Sequence, residues 1–177
     1  MKQSKTANRT LTRDICMTAV FAALTCAATF ILVPLPFGYF NLGDIVLLCA
    51  AWMLGPVLGA AAAVGAALAD LLAGFAMYAP ATLVIKAAMA VCAALLFRIL
   101  RPLIPMTASR VISAFAAEGI MIAGYFLYEA AVLGLGAGAA ASIPGNVLQA
   151  ICGIIGAALL MTTLSANKRV AQFFRLT

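Results

Sequence analysis

The sequence predicts an all-α integral membrane protein with six transmembrane helices. Of its 177 residues, 66% are hydrophobic and only 9% are charged, whereas soluble domains are about half apolar and about a quarter charged. Apolar runs of roughly the 20 residues that cross a bilayer recur along the chain, separated by proline, glycine and basic residues. The basic residues form three clusters, and their placement decides the number of spans.

The first span is predicted from Asp14 to Val33, where Pro34 and Pro36 stop the helix. Residues 1–13 are polar and basic, without an apolar period, and are expected to form a cytoplasmic tail or a short surface helix. No small-residue cleavage site followed by a soluble domain is present, so the run is interpreted as a span and not as a signal peptide. Residues 14–165 are expected to form a single six-helix membrane domain, and residues 166–177 are expected to form a cytoplasmic basic tail.

Two short runs, Asp44–Leu54 and Val57–Gly74, follow, with Gly55 and Pro56 between them. Joining them into one helix would place the Arg98–Arg110 loop and the C-terminal basic tail opposite the N-terminal lysines. That arrangement contradicts the enrichment of Lys and Arg on the cytoplasmic side. Counting two spans gives six in total, with both termini on the cytoplasmic side of the plasma membrane.

The second span is too short to cross the bilayer. Eleven residues rise roughly 17 Å, against a hydrocarbon core of about 30 Å. The preceding loop, Pro34–Gly43, must therefore dip into the membrane, where non-helical backbone is tolerated only inside protein or along a cavity. This sunken loop, which carries Tyr39 and Asn41, is predicted to form one wall of a ligand site.

The remaining spans are predicted at Tyr78–Phe97, Val111–Leu133 and Ile143–Leu164. The last two are joined by GLGAGAAAS, which is expected to be a flexible, uncharged outer loop that could serve as a lid.

Small residues form two stripes that let another helix approach closely. Each stripe either packs within the protein or docks a partner subunit. The first comprises Ala19, Ala23 and Ala27, and the second comprises Gly55, Gly59 and Ala63.

Polar side chains at membrane depth predict a pocket in the outer half of the bundle. Ionisable groups there are expensive and usually functional. At 100° per residue, Tyr125 and Glu129 each lie within about 20° of Glu118 on one face of the fifth span. The candidate substrate-binding residues are Tyr39, Asn41, Asp44, Asp70, Tyr78, Lys86, Glu118, Tyr125, Glu129, Asn146 and Gln149.

Structural explanations compete at several of these positions. Asp44 could cap its own helix. Asp70 and Lys86 could neutralise each other. Glu129 could be solvated near an interface, and Tyr125 and its neighbour Tyr128 could belong to the aromatic belt.

No catalytic or metal chemistry is predicted. The five cysteines lack CxxC spacing, histidine is absent, and no phosphate-cradling GxxxxGK[ST] loop occurs. An enzyme would need a nucleophile or metal set that this chain lacks. Neither a cofactor nor ATP hydrolysis by the chain itself is expected.

Four motifs carry a family resemblance: GYFNLGD, the LGP turn, ALADLLAG and YAPATLVIK. With them, the chain resembles the substrate-binding S components of energy-coupling factor (ECF) vitamin transporters. It is most similar to the riboflavin-transporter-like group, which includes proposed carriers of hydroxymethylpyrimidine and pyridoxine. The resemblance implies a capture subunit that docks on a transmembrane T component driven by two ATPase subunits. It assigns Ala19, Ala23 and Ala27 to the T-component contact.

The choice of ligand follows from the same resemblance. Nickel and cobalt members use an N-terminal histidine, which this chain lacks, so an organic ligand is expected. The single indole, Trp52, lies toward the inner end of the second span, which leaves tyrosines and carboxylates for a compact ring. These residues favour a thiamine precursor (hydroxymethylpyrimidine) or a B6 vitamer. The alternatives are another vitamin such as riboflavin, or a stand-alone secondary transporter in which Glu118 and Lys86 would couple an ion.

Overall fold

The computed structural model describes residues 2–35, 38–168 and 171–172, and most of this part of the chain is helical. A short π-helical turn (Tyr128–Val132) follows the sixth helix, and a 3-10 helix (Gly136–Ser142) precedes the seventh. The helices and strands are α1 (Lys2–Thr29), β1 (Leu32–Leu35), β2 (Gly38–Asn41), α2 (Gly43–Leu54), α3 (Pro56–Ala61), α4 (Ala63–Leu72), α5 (Ala79–Leu100), α6 (Met106–Leu127) and α7 (Ile143–Ala166).

Four helical segments of the described chain are long and apolar enough to cross a bilayer, which confirms the predicted membrane class. They are Leu11–Thr29, Ala79–Leu100, Met106–Val132 and Gly136–Ala166. Two shorter apolar stretches match the predicted second and third spans. With 12 residues, α2 is roughly 18 Å long, so it covers only part of the hydrocarbon core. The total of six spans stays a prediction.

The break between α2 and α3 occurs where the sequence predicts it. Gly55 ends α2 with φ +86°, a left-handed conformation that glycine adopts without strain. Its missing side chain also leaves room for the Arg98 guanidinium. Pro56 then opens α3, a position where its missing N–H has no helical partner to lose.

The basic segment before Asp14 is helical and continuous with the first span. Helix α1 begins at Lys2 and has 28 residues, where we expected a tail or a separate short helix. No glycine or proline precedes Pro34, so nothing in the sequence breaks the helix between the basic segment and the membrane. The span itself ends at Thr29 and not at Val33, because the chain then enters β1.

The predicted sunken loop is a regular antiparallel hairpin of β1 and β2. Leu32 pairs with Asn41 and Val33 pairs with Phe40. The backbone N–H of Leu42 donates to the carbonyl of Ala28 at 3.3 Å, which ties the hairpin to α1. Backbone pairing within the hairpin satisfies groups that a loose loop would leave without partners at this depth.

The expectation of a flexible loop between the last two spans is wrong. Gly136–Ser142 forms a 3-10 helix, and Ala139 in it is buried. The two glycines that precede or begin this helix, Gly134 and Gly136, have positive φ angles of 73° and 53°. They turn the chain sharply so that the short helix packs against the π-helical turn.

Close helix contacts depend on small residues. A Cβ on Gly65 of α4 would collide with the backbone of Ala22 in α1. A Cβ on Gly59 would lie 2.7 Å from the Cα of Ala51 in α2. The second predicted stripe, of which Gly59 is the centre, therefore packs within the protein.

Candidate functional site

A cavity of about 320 Å³ lies between the hairpin, the ends of α1 and α4, the beginning of α5, and the π-helical turn with the beginning of α7. Its volume is at the lower end of the range for small-molecule sites. It is lined by Thr29, Phe30, Leu32, Asn41, Ala69, Asp70, Ala73, Phe75, Tyr78, Thr82, Tyr125, Glu129, Ser142, Gly145, Asn146 and Gln149.

Two tyrosines stabilise one wall of the cavity. The rings of Tyr78 and Tyr128 pack with centroids 5.8 Å apart and planes tilted by 59°. The Tyr128 hydroxyl donates to the backbone carbonyl of Met77, and the Tyr78 hydroxyl donates to Oε1 of Glu129 at 3.3 Å. These contacts hold the half-buried ring of Tyr78 against the cavity, where it can pack on a flat ligand.

Glu129 belongs to the π-helical turn, and its side chain is only 7% exposed. Such turns are rare and frequently occur at functional sites. The turn directs the Glu129 carboxylate into the cavity, within reach of Tyr78. The alternative that Glu129 is simply solvated is therefore wrong.

Asp70 lines the cavity with one oxygen that lacks a partner. Its Oδ2 is buried and makes no hydrogen bond to any other described residue. On the adjacent wall, the hydroxyls of Thr82 and Tyr125 share a hydrogen bond of 3.0 Å. Tyr125 thus faces the cavity and is not a belt aromatic.

Gln149 connects the cavity to a buried ion pair. Its Oε1 accepts from the backbone N–H of Asn41 at 3.1 Å, and its Nε2 donates to Oδ2 of Asp44 at 2.7 Å. The other Asp44 oxygen is bound by the ammonium of Lys86. This chain of contacts joins the hairpin, α7, α2 and α5.

The structure corrects two expectations about these charges. Lys86 pairs with Asp44 and not with Asp70, because Asp70, in the last turn of α4, interacts with Thr82 in the first turn of α5, whereas Lys86 lies one turn further along α5. Asp44 does not cap α2: the N-cap position is Leu42 and no side-chain cap bond forms there. Both partners are almost fully buried, Lys86 at 3% exposure and Asp44 at 1%. The Lys86 ammonium also lies 5.6 Å from the ring centroid of Tyr125.

Glu118 lies beside this pair. It is 1% exposed, and neither carboxyl oxygen has a hydrogen-bond partner within the described part of the chain. Gly153 of α7 provides the space: a Cβ there would lie 2.5 Å from Oε1 of Glu118 and 3.2 Å from Cβ of Asp44. Glu118 does not line the cavity, although Tyr125 and Glu129, predicted on the same face, do.

The predicted site residues divide into three groups. Asp44, Lys86 and Glu118 form a buried charged cluster next to the cavity. Tyr39 has its side chain outside the described residues. The others line the cavity, and they are Asn41, Asp70, Tyr78, Tyr125, Glu129, Asn146 and Gln149.

Sequence reasoning missed several lining residues. Thr82 lies four residues after Tyr78 and four before Lys86, so the helical period could have identified it. Thr29 and Leu32 had no such signal, because they reach the cavity only through the fold of the hairpin onto the end of α1.

Two further predicted features lie away from the cavity. The indole N–H of Trp52 donates to the hydroxyl of Ser113 at 3.0 Å, and Trp52 is not among the lining residues. On α1, the stripe of Ala19, Ala23 and Ala27 is exposed, so it does not pack within this chain. The inward side of α1 is formed by Phe21, Thr25 and Thr29.

The described residues contain no group of three or more Cys, Asp or Glu side chains arranged to hold a metal ion. The cysteines are all free thiols.

Comparisons with known proteins agree with this arrangement. The family model "ECF-type riboflavin transporter, S component" matches residues 9–166. A protein of Pyrococcus woesei, named "Uncharacterized protein in gap 3'region", is 33% identical over 137 residues, which cover 75% of this chain and 88% of that protein. A solved structure titled "Structure and mechanism of the S component of a bacterial ECF transporter" superposes with a TM-score of 0.66 at 21% identity, covering 88% of this chain and 97% of the other. At that identity the structural match supports the fold.

Proposed function

The chain belongs to the ECF-type riboflavin transporter S component family, and from this premise we propose that it captures a compact heteroaromatic vitamin or vitamin precursor in the cavity described above. S components are multi-pass membrane proteins and are substrate-binding transport subunits, not enzymes. The function of this chain is accordingly that of a vitamin-type substrate-binding subunit.

The observation that carries the proposal is the composition of the cavity wall. Two tyrosine rings, three amides and two carboxyl groups surround a volume of about 320 Å³. Pockets of this kind combine apolar surface with a few polar groups that orient one ligand. Tyr78 would pack on the ring, while Asn146 and Gln149 would select its polar substituents.

The substrates that we propose are the thiamine precursor hydroxymethylpyrimidine or a B6 vitamer. Single six-membered rings suit a cavity near the lower limit of ligand sites. Riboflavin is the second candidate, because the matching family model carries that name. With three fused rings and a ribityl chain, it is the largest of the candidates.

The proposed partners are a transmembrane T component and two ATPase subunits. The sequence has no phosphate-binding GxxxxGK[ST] loop, so ATP hydrolysis would be supplied by the ATPase subunits. The exposed stripe of Ala19, Ala23 and Ala27 supports a docking face, since its small side chains allow another helix to approach closely. We propose that both termini face the cytoplasm, as the basic clusters favour.

Native mass spectrometry of the protein purified in mild detergent from its own membranes tests this proposal. We expect a retained small molecule with the mass of a vitamin or precursor, and co-purified T and ATPase subunits. Calorimetric titration with hydroxymethylpyrimidine, pyridoxine, pyridoxamine and riboflavin then ranks the candidates. Retention of no ligand, together with no binding of any of the four, would refute the proposed function.

A further inference from the structure

We propose that the vitamin carries an amino group that is bound between Asp70 and Glu129, so that the cavity selects amino-substituted rings over rings without an amino group. The inference rests on the proposed function, because it names the substrate class of the same cavity. It follows from the balance of charge around the cavity and from an acceptor that the protein leaves without a partner.

The charged side chains that line the cavity are both acidic. Asp70 contributes from α4 and Glu129 from the π-helical turn. No lysine or arginine of the described residues is part of the lining. A ligand in this cavity therefore meets carboxyl groups on two walls and no positive charge.

Among the described residues, no lysine or arginine forms an ion pair with either carboxyl group. Oδ2 of Asp70 is buried and has no hydrogen-bond partner within the described ranges. Glu129 accepts from a neutral donor, the Tyr78 hydroxyl, at 3.3 Å. The nearby buried ammonium, Lys86, is engaged in the ion pair with Asp44.

The buried cluster beside the cavity does not correct this imbalance. Glu118 adds a further carboxyl group without a hydrogen-bond partner in the described chain. The ammonium of Lys86 is bound by Asp44, and the carboxyl groups of Asp70 and Glu129 have no such partner among the described residues. Buried polar groups without partners are costly, and a donor that satisfies them contributes more than one in a neutral site.

An amino group would meet these requirements best. Its N–H bonds can reach carboxylate oxygens on both walls, and such charge-assisted bonds are about twice as strong as neutral ones. The Lys86 ammonium already lies 5.6 Å from the ring centroid of Tyr125, so the attraction for an amine would come from the carboxyl groups and not from that ring. A neutral ring that presents carbonyl groups would instead add acceptors to a wall already rich in them.

Pyridoxamine and pyridoxine provide a matched pair for the test, because they share one ring and differ in an aminomethyl or hydroxymethyl group. Hydroxymethylpyrimidine and its analogue with an oxo group in place of the amino group form a second pair. Whichever pair the wild-type protein binds, we expect its amino member to have a dissociation constant roughly tenfold to a hundredfold lower than that of its partner without the amino group. This comparison uses only the wild-type protein, so its result does not depend on whether a variant folds.

Asp70→Asn identifies the residue responsible. We expect it to reduce the preference within the pair to about threefold or less, because the charge that recognises the amine is removed. Asp14→Asn is the matched control: Asp14 is exposed on α1, far from the cavity lining, and its replacement should leave the preference unchanged. Sodium and potassium chloride titrations serve as a further control for an inorganic cation in the same place.

The outcomes separate this inference from the proposed function. Tight binding of riboflavin or pyridoxine with no preference for an amine would overturn the inference and leave a vitamin-binding subunit. Saturable displacement of the amine by millimolar sodium but not potassium would also overturn it, in favour of an inorganic cation site. Failure of every vitamin to bind refutes the proposed function itself.

Discussion

Removing Lys86 alone should be more damaging than removing Lys86 and Asp44 together. Lys86→Met leaves the Asp44 carboxylate buried at 1% exposure, with Gln149 as its remaining hydrogen-bond partner. Lys86→Met combined with Asp44→Asn removes both charges, and the amide introduced at position 44 can still pair with Gln149. The two variants therefore differ by one uncompensated buried charge.

The size of the difference can be estimated from the burial of the pair. Breaking a buried pair by removing one partner costs about 3 to 5 kcal/mol, whereas replacing both partners is often close to neutral. The free energy of unfolding of a typical domain is roughly 5 to 15 kcal/mol. The single variant should thus lose a large fraction of its stability, and the double variant should recover most of it.

Equilibrium unfolding in mixed detergent micelles, followed by circular dichroism, measures both variants against the wild type. Lys86→Met combined with Asp70→Asn is the control, since Asp70 does not bind Lys86 in the structure and its replacement should rescue little. If the Asp44 double variant were no more stable than Lys86→Met alone, the assignment of this ion pair would be refuted.

Three further predictions concern assembly, orientation and packing. Ala23→Leu should abolish uptake, while the vitamin affinity of the isolated protein should stay within about twofold of the wild-type value. The control is Ala88→Leu, at an exposed position of α5, which should not affect uptake. Loss of vitamin affinity in the isolated Ala23→Leu variant would instead indicate that Ala23 packs within the protein. A cysteine replacing the exposed Thr107 should react with a membrane-impermeant maleimide only after the cells are opened, and labelling of intact cells would contradict a cytoplasmic loop. Gly153→Ala should lower the free energy of unfolding by about 1 to 3 kcal/mol, because the added methyl group meets the Glu118 carboxyl. Gly119→Ala, with open space around it, should not destabilise the protein, and equal thermal shifts in the two glycine variants would contradict the packing argument.

The membrane class and most helix boundaries could be predicted because they depend on local properties of the chain. Apolar length and the glycine–proline pair at 55–56 are read directly from the sequence. Long apolar runs have few alternatives in a bilayer, since each backbone group must find its partner within the helix.

The pairing of charges could not be predicted in the same way. Which acid reaches Lys86 depends on the depth at which α2 begins, and that depth is determined by the hairpin folding back under the end of α1. Periodicity places a residue on a face of its own helix but does not give its height relative to another helix. Thr29 and Leu32 were missed for the same reason.

Asn146 should determine which ligand the cavity selects, and Tyr78 should contribute binding affinity that is similar for different ligands. The Asn146 side chain lines the cavity and makes no side-chain hydrogen bond with the other described residues, so its amide can bind a ligand substituent. Asn146→Leu should weaken the true vitamin roughly tenfold to a hundredfold, the effect of leaving a polar group unpaired, but should barely change an analogue that lacks that substituent.

Tyr78 allows the ring and the hydroxyl to be separated. Tyr78→Ala removes both the ring and the hydroxyl, and uncharged ligands should weaken alike, by about 1 kcal/mol. Tyr78→Phe keeps the ring and removes the hydrogen bond to Glu129, so it should preserve affinity for uncharged analogues and change only the response to amines. Calorimetric titration of the three variants with the vitamin and its truncated analogue measures each effect. Unchanged affinity in both Asn146→Leu and Tyr78→Ala would contradict the assignment of the ligand to this part of the cavity, because both side chains line it.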